Sequence, residues 1–300
     1  MSTWDRYIKN FVSFLKIEKG LAENSVFAYQ NDVNKLREFC EYEKIEPTSV
    51  TFDNLKSFVA TLYDLGLSAR TQARIISGIK QFFVFLLVED ILKDDPSELL
   101  EMPKIGRKLP EILSIEEIDQ LIAAVDMSKN EGHRNRAIIE TLYSCGLRVS
   151  ELVNLRFSDL FFEEGFIRVI GKGNKERLVP ASKSVEKEID FYNTHIRCHQ
   201  KIQSGNENIV FLNRRGAQLT RVMIFTIIKD LSAAIGLKKS ISPHTFRHSF
   251  ATHMIEGGAN LRAVQDMLGH ESITTTEIYT HLDQRFLRDA IIYFHPRNKG

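Results

Sequence analysis

The chain has 300 residues, 43% of them hydrophobic, and a formal net charge of +1 at pH 7. These values are ordinary for a soluble globular protein with room for two domains, each with its own core. We expect neither a secretory signal peptide nor a membrane-spanning stretch, because the sequence lacks the apolar runs that they require. The three cysteines, Cys40, Cys145 and Cys198, fit neither a disulfide framework nor a zinc site, which favours a reducing cytoplasm.

The near-neutral net charge by itself gives little support for nucleic-acid binding, because nucleic-acid-binding proteins usually carry a basic field. The charge is unevenly distributed, however. Residues 1–103 contain 12 Lys/Arg and 16 Asp/Glu, whereas residues 104–300 contain 28 and 23. The acidic excess of the first part clusters in residues 38–46 and 89–101, which leaves room for a basic face built from Arg70, Arg74 and Lys80.

Four helices are predicted in residues 1–103, which we expect to fold as an all-helical domain. Apolar residues recur at helical spacing around residues 11–17 and in the segments 22–42, 52–65 and 68–91. Thr51 and Ser68 stand where helix N-caps are needed. Because large apolar side chains at helical spacing form a core, we expect the core to contain Phe11, Phe14, Leu15, Ile17, Phe27, Val33, Leu36, Phe39, Phe82, Phe83, Phe85 and Leu86.

An extended linker is predicted at residues 104–112, because prolines, a glycine and basic residues cluster there. The second domain then covers residues 113–300. It starts with Ser114 and Glu117 at the spacing of a capping box, and helices follow to about Leu155. The segments 166–170 and 176–180 are predicted to be paired strands around the turn 171–174.

Six side chains that can carry charge, move protons or attack phosphorus stand in distinctive contexts of the second domain. Two of them, His244 and Arg247, follow Ser242 and Pro243. This pair suits the N-cap and first position of a helix, and Gly257 suits the end of that helix. We expect these two, a histidine and an arginine, to lie in the first turn of that helix. The candidate catalytic residues are Arg148, Lys172, His244, Arg247, His270 and Tyr279.

This set of side chains suits attack on a phosphodiester without a metal ion or another cofactor. Negative charge builds up on the non-bridging oxygens during attack, and Arg148 and Arg247 carry planar charged forks that can hold those oxygens. The two histidines can donate hydrogen bonds or move protons near neutral pH. The tyrosine is the candidate nucleophile, and the lysine at the hairpin tip is expected to protonate the departing 5′ oxygen.

The six residues and their contexts resemble the tyrosine recombinase (phage integrase) family. Its signature is Arg, Lys, His-x-x-Arg, His or Trp, and Tyr in that chain order, and no position is missing here. The neighbouring words Thr-Phe-Arg-His-Ser-Phe-Ala-Thr-His, Leu-Gly-His and Tyr-Thr-His also match. The length, the two-domain layout and the Leu-Pro-Glu-Ile-Leu-Ser linker look most like the bacterial Xer recombinases, and the resemblance covers nearly the whole chain.

The resemblance implies a mainly α, two-domain fold. A helical-bundle N-terminal domain binds the DNA core site, and a mainly helical catalytic domain carries a small antiparallel β-sheet. It also implies cleavage and rejoining of DNA through a 3′-phosphotyrosine and a Holliday junction, with resolution of chromosome dimers at cell division. The implied partners are a double-stranded recombination site, homologous or paralogous subunits in a tetramer on two sites, and the cell-division DNA translocase FtsK. No membrane is implied.

The resemblance also places residues at the DNA and between subunits. Helices of both domains are expected to enter major grooves, and the C-terminal tail is expected to pass cyclically between subunits. Residues 283–293 are helical in pattern, and their apolar stripe is expected to bury either on its own domain or on a neighbouring subunit; the resemblance favours the neighbour. The candidate DNA-binding residues are Arg70, Thr71, Arg74 and Arg221, and the apolar stripe contains Phe286, Leu287, Ile291 and Ile292.

Single residues from this set would mean little alone. An arginine is usually a surface charge, but Arg148 lies in an apolar stretch where Glu151 is placed to orient it. We expect His248, His253 and His281 to be supporting or packing residues.

Two other motifs are rejected. The Gly-Lys-Gly-Asn-Lys turn lacks the spacing of a nucleotide-binding loop, and the histidines at 244 and 248 lack the glutamate of a zinc-protease motif.

Three other functions share parts of this pattern. A mobile-element integrase has the same signature, although it usually carries an additional arm-binding domain. A type IB topoisomerase uses the same residue types to nick and reseal DNA. A non-catalytic DNA-binding protein could keep the fold, but it would have no reason to keep all six residues. The sequence does not distinguish a XerC-like from a XerD-like member.

Overall fold

The structure, a computed structural model, describes residues 2–106, 111–171, 175–269 and 281–298, with residues 281–285 described by their backbone only. The chain divides into two compact units, residues 1–108 and 109–300. Both units are mainly helical, and the second contains a three-stranded antiparallel sheet. The functional division into a DNA core-binding domain (1–103), a linker (104–112) and a catalytic domain (113–300) stays a prediction.

Four helices form the first unit, as predicted. Two of them begin at the predicted caps: the hydroxyl of Thr51 accepts a hydrogen bond from the Asn54 N–H, and the hydroxyl of Ser68 accepts one from the Thr71 N–H. The helices are α1 (Thr3–Ile17), α2 (Glu23–Tyr42), α3 (Phe52–Asp64) and α4 (Ala69–Val88).

The aromatic core of the first unit is confirmed, with two exceptions. Phe11, Phe82, Phe83 and Phe85 are buried, and Phe14 and Leu15 pack with them. Ile17 and Phe27, however, are 81% and 65% exposed, so their assignment to the core was wrong. Both lie off the inward face of their helix: that face of α1 ends at residue 15, and that of α2 runs through residues 26, 33, 36 and 40.

Helix α4 is long and apolar enough to cross a membrane by length and composition, which corrects the expectation that no such stretch exists. Half of its apolar window is buried inside the protein. Phe82, Phe83, Phe85 and Leu86 of this helix lie in the core of the first unit. Packing therefore explains its apolar sequence.

The second unit surrounds a small sheet with helices. The sheet has the order β1-β2-β3 and pairs Ile167 with Val179 in antiparallel register, which confirms the two predicted strands and adds a short third one. Its elements are α5 (Ile115–Ala123), α6 (Asn130–Cys145), α7 (Val149–Val153), β1 (Leu160–Phe161), β2 (Phe166–Ile170), β3 (Glu176–Pro180), α8 (Lys183–His195), α9 (Arg221–Ala234), α10 (Pro243–Glu256), α11 (Leu261–Leu268) and α12 (His281–Phe294).

Helix α12 packs on its own unit, which corrects the expectation that its apolar stripe lies wholly on a neighbour. Leu287 and Ile291 are 2% exposed and belong to a core cluster with Phe250 and Met254 of α10. Their spacing of four residues places them on one face of the helix. Phe286 lies off that face and is half exposed, as is Ile292.

Candidate active site

Arg148 follows a tight turn between α6 and α7. Gly146 ends α6 with a φ of 58°, in the left-handed region that favours glycine. A side chain here would also clash, because an added Cβ would lie 2.6 Å from the ring of Phe250. The turn therefore needs glycine for two independent reasons. It brings the N-cap of α7, which is Arg148, close to α10.

Glu151 holds Arg148 in place, as the sequence spacing indicated. Arg148 Nη1 donates to Glu151 Oε1 at 2.8 Å, and its backbone N–H donates to Oε2 at 2.7 Å. Burial alone would raise the pKa of Glu151. Hydrogen bonds and charge from Arg177, together with the bonds from Arg148, outweigh burial and hold that pKa below its ordinary value. The carboxylate is therefore ionised at neutral pH.

Arg247 is the more deeply buried of the two predicted phosphate-binding arginines, being 8% exposed. It lies on α10, which begins at Ser242 and Pro243 as predicted. Its Nη1 donates to the Gly146 carbonyl at 2.9 Å, and its Nη2 donates to the Leu268 carbonyl. Burial, and then the charge of Arg148, lower the pKa of Arg247 to about 10, so the guanidinium stays charged at neutral pH.

The histidines of α10 fall into two groups. His244 and His248 are exposed, and His244 lies one turn before the buried Arg247. His253 is buried, and its Nδ1 is 2.9 Å from the hydroxyl of Tyr143. This confirms a packing role for His253. Arg247 is the fifth residue of α10, so it lies at the start of the second turn rather than in the first turn as expected.

Arg177 is a site residue that the sequence analysis missed. It lies on β3, is 7% exposed, and binds both oxygens of Glu151 through its Nη1 and Nη2 at 2.8 Å each. The signal was present in the sequence: Arg177 and Val179 alternate toward the interior of β3, so an inward-facing strand position holds an arginine.

Three guanidinium groups meet at the carboxyl end of α11. The last carbonyls of a helix lack partners within it and carry the negative end of its dipole, so cations are favourable there. Each of three consecutive carbonyls accepts a hydrogen bond from a different arginine. The pairs are Arg177 Nε with Met267 (2.8 Å), Arg247 Nη2 with Leu268, and Arg148 Nη2 with Gly269 (3.1 Å).

The remaining predicted catalytic residues lie outside the described residues. Lys172 belongs to the segment between β2, which ends at Ile170, and β3, which begins at Glu176. His270 follows directly on Gly269, the C-cap of α11, and Tyr279 precedes α12. The structure therefore brings together Arg148, Arg247, Glu151 and Arg177, and the catalytic roles of all six predicted residues stay predictions.

Arg74 has a structural partner that its proposed role in DNA binding did not anticipate. Its Nη1 lies 2.6 Å from Oδ2 of Asp32, a carboxyl group that is fully buried on α2. Arg70 is exposed, and Thr71 is half buried with its hydroxyl 3.0 Å from that of Ser68. Burial raises the pKa of Asp32, and the charge of Arg74 offsets only part of that effect. Arg74 therefore also stabilises a buried carboxylate.

The other features of the sequence are placed as follows. Arg221 is the exposed first residue of α9. Within the described ranges, no group of three or more His, Cys, Asp or Glu side chains is arranged to hold a metal ion. The three cysteines are unpaired with one another: Cys40 and Cys145 are buried, and Cys198 is exposed.

With this geometry established, comparison with known proteins identifies the family. Residues 111–285 match the Phage integrase family, and residues 8–90 match the phage integrase N-terminal SAM-like domain. The chain belongs to the phage integrase family. Tyrosine recombinase XerD of Staphylococcus haemolyticus is 41% identical over 291 residues, which cover 97% of this chain and 98% of that protein. Tyrosine recombinase XerD of Listeria monocytogenes is 39% identical over 295 residues, with coverages of 97% and 98%.

The fold agrees with this assignment. The crystal structure of XerH site-specific recombinase bound to a palindromic difH substrate matches with a TM-score of 0.70. The match covers 96% of this chain and 95% of that chain at 22% identity, so it supports the fold alone. Because the sequence relatives are tyrosine recombinases over nearly their whole length, the present family member is a tyrosine site-specific recombinase of the Xer type.

Proposed function

We propose that this recombinase cleaves DNA through Tyr279 and belongs to the XerD-like half of a system that resolves chromosome dimers. The Tyr279 hydroxyl gives its proton to a base, for which the candidate histidines are suited, as its oxygen attacks the scissile phosphorus; the bond from tyrosine to phosphorus forms, and the bond from phosphorus to the 5′ oxygen breaks. The departing 5′ oxygen takes a proton from Lys172. Attack by the 5′ hydroxyl of a partner strand then reverses these bonds and produces a Holliday junction.

The observation that supports this proposal is the arrangement of Arg148 and Arg247. Both guanidinium groups are held before substrate arrives, by Glu151 and by backbone carbonyls on either side. Fixed donors stabilise charge on a phosphorane-like transition state without the cost of reorganisation. His244, at the start of α10, and His270, beyond α11, are proposed to donate further hydrogen bonds to the same oxygens.

No cofactor is required in this scheme. The phosphotyrosine ester retains the energy of the broken phosphodiester, so rejoining needs no nucleotide triphosphate. The positive charges that a metal ion would supply are supplied by arginine.

The Xer relatives support a proposal for the biological setting. We infer that the substrate is a double-stranded recombination site and that four subunits, identical or paralogous, act on two such sites. We place this reaction in the cytoplasm at cell division, where the DNA translocase FtsK is the proposed activating partner. Arg70, Thr71 and Arg221 are proposed to contact DNA, with Arg74 contributing from its ion pair with Asp32.

A covalent-trapping experiment tests the proposed nucleophile. DNA recovered with the protein from its own cell is mapped to a site, and a nicked duplex of that site is incubated with the protein. A complex that survives denaturation is expected for the wild type and for Tyr293→Phe, a matched control because Tyr293 is exposed on α12. Tyr279→Phe is expected to form none, and a covalent complex with this variant would overturn the assignment.

A further inference from the structure

Each of the three guanidinium nitrogens of Arg177 donates a hydrogen bond within the protein. Its Nη1 and Nη2 donate to the two oxygens of Glu151, and its Nε donates to the carbonyl of Met267, all at 2.8 Å. The side chain is 7% exposed and its Cδ would lie 3.0 Å from a Cβ added at Gly269. Arg177 is therefore held in place through all three of its guanidinium nitrogens.

Glu151 is shared between two arginines. Oε1 accepts from Nη1 of Arg148 and from Nη1 of Arg177, and Oε2 accepts from the Arg148 backbone N–H and from Nη2 of Arg177. The carboxylate is buried, whereas the side chain of Arg148 is 36% exposed. The orientation of the carboxylate is thus set from the interior by Arg177, and Arg148 is the partner that faces outward.

The charge balance depends on Arg177. One carboxylate between two guanidinium groups leaves one net positive charge, and Arg247 adds another. Without Arg177, Arg148 and Glu151 would form a neutral pair, and the carboxylate would hold the Arg148 guanidinium without competition. A guanidinium in such a pair is less available to an anion.

The fold itself does not require an arginine at this position. β3 is already paired with β2 along its length, and Val179 beside Arg177 lies in the core. Burying an arginine–carboxylate pair costs desolvation, and replacing both partners by apolar residues is often neutral, whereas removing one partner alone is destabilising. The Arg177–Glu151 pair as a whole is therefore better explained by its effect on Arg148 than by stability.

We propose that Arg177 is a positioning residue that acts through Glu151 to keep Arg148 oriented and charged toward the scissile phosphate. This inference rests on the proposed role of Arg148 in binding the phosphate. It predicts that the cost of losing Arg177 appears only when the reacting phosphate carries negative charge.

The test uses two substrates, a normal phosphodiester and a methylphosphonate in which a methyl group replaces a non-bridging oxygen at the scissile position. Single-turnover cleavage is measured for the wild type, Arg177→Met and Arg148→Ala. With the normal substrate, Arg177→Met is expected to cleave roughly 10–100-fold more slowly, since small misplacements of catalytic groups have costs of this size. With the neutral methylphosphonate, both variants are expected to approach the wild-type rate.

Arg168→Met is the matched control. Arg168 lies on the adjacent strand β2, and its ion pair with Asp159 at 2.7 Å is partly exposed. The same change there removes an arginine from the same sheet without touching Glu151. Its ratio of phosphodiester to methylphosphonate cleavage is expected to equal that of the wild type.

Each outcome has a distinct meaning. If the methylphosphonate rescues Arg148→Ala but not Arg177→Met, or if Arg177→Met cleaves the phosphodiester at the wild-type rate, the inference about Arg177 is wrong. If the methylphosphonate substrate does not rescue cleavage by Arg148→Ala, the proposed role of Arg148 is wrong. DNA binding and thermal unfolding are measured in parallel. If Arg177→Met does not fold, Arg177→Lys, which keeps the charge but not the two-pronged contact, is read by the same criteria.

Discussion

Glu151 binds Arg148 at two points, accepting from its backbone N–H at 2.7 Å and from its guanidinium at 2.8 Å. The first contact closes the N-terminus of α7, and the second fixes the side chain. One carboxylate thus sets both where α7 begins and where its arginine lies. The catalytic geometry and the local fold are therefore coupled at this residue.

Replacing Glu151 by glutamine should destabilise the protein strongly. The change keeps the shape but removes the counter-charge of Arg148 and of the buried Arg177, and breaking a buried ion pair costs about 3–5 kcal/mol. Urea denaturation measures the loss in the free energy of unfolding. Glu176→Gln is the control, because the Glu176–Arg168 pair at 4.0 Å is exposed. It should cost less than about 1 kcal/mol. Equal losses in the two variants would contradict the shared role of Glu151.

Arg148→Ala and Arg247→Ala should both abolish cleavage while DNA binding persists. Loss of one fixed donor is expected to reduce cleavage by about 10²–10³-fold or more. Binding should change little, because it depends mainly on many backbone contacts elsewhere. Gel-shift and suicide-substrate assays measure the two effects, and parallel losses of binding and cleavage would make these arginines structural.

The structure predicts that these two variants differ in stability. Arg247 is buried and binds the carbonyls of Gly146 and Leu268, whereas Arg148 is partly exposed. Arg247→Ala should therefore also lower the melting temperature, and Arg148→Ala should lower it less. Treatment of the wild type with EDTA should leave cleavage unchanged, since the proposed mechanism uses no metal ion.

The parts of the fold that depend on local chemistry were predictable from the sequence. Thr51, Ser68 and Ser114 cap helices where predicted, and the strands around residues 171–174 pair as predicted. Cap and strand patterns involve residues within a few positions of each other, so one sequence reveals them.

Contacts between distant residues were not predictable in this way. Arg74 and Asp32 are 42 positions apart, and Arg177 and Glu151 are 26 apart. The alternation of β3 indicates that Arg177 faces inward, but nothing local indicates which carboxylate it meets, or that Arg74 meets Asp32. Arg148 and Glu151 were paired correctly, because residues three positions apart on a helix are neighbours and the sequence alone shows their spacing.

Arg74→Ala should reduce the stability of the first unit as well as DNA affinity. It removes the ion-pair partner of Asp32, which is fully buried and whose other oxygen has no hydrogen-bond partner among the described residues. An unpaired buried polar group costs about 1–3 kcal/mol or more. Arg70→Ala, one turn earlier and exposed, should weaken DNA binding without loss of stability. Thermal unfolding and DNA titrations separate the two, and equal melting temperatures would contradict the structural role of Arg74.

Arg221→Ala tests how α9 contacts DNA. Arg221 is exposed as the first residue of the helix, so its loss should leave stability unchanged. A base contact should alter the preference among related sites, whereas a phosphate contact should weaken binding to all sites equally. Selection of bound sequences from a randomised pool distinguishes the two. Uniform weakening would show that Arg221 binds phosphate rather than reading sequence.

His295 should make the protein less stable in mild acid. It is fully buried against Tyr143 and Phe250, and burial, followed by the charge of Arg297, lowers its pKa from 6.5 to about 3. The unfolded chain takes up a proton below its pKa of 6.5 and the folded chain does not. The free energy of unfolding therefore has its full value above pH 6.5. It falls as the pH drops toward 3, by about 1.4 kcal/mol per pH unit from this histidine.

A variant isolates this contribution. His295→Phe keeps an aromatic ring beside Tyr143 and removes the titrating group, so its stability should fall less than that of the wild type between about pH 7 and about pH 5. Urea denaturation at the two pH values provides the measurement, and identical slopes for His295→Phe and the wild type would contradict the assignment.

The two sides of α12 should have different effects on folding and assembly. Leu287 and Ile291 bury in their own unit, so deletion of residues 284–300 would uncover Phe250 and Met254 and is expected to unfold the protein. Truncation of the tail therefore removes part of the core and does not test a subunit contact by itself. A contact between α12 and a neighbouring subunit, which the family resemblance implies, would use the residues that remain exposed, and Phe286 and Ile292 are 51% and 43% exposed.

Point substitutions separate the two sides. Leu287→Ala should cost about 2–5 kcal/mol in the free energy of unfolding, because it opens a cavity in the core. The double variant Phe286→Ser and Ile292→Ser should retain wild-type stability and single-site binding but lose cooperative pairing of two sites and strand exchange. Such apolar residues on a surface favour contact with a partner, and heterologous contacts of this kind close a ring. Native gels with one-site and two-site DNA, combined with urea denaturation, measure both effects. Normal pairing and strand exchange by the double variant would exclude these side chains from the subunit contact.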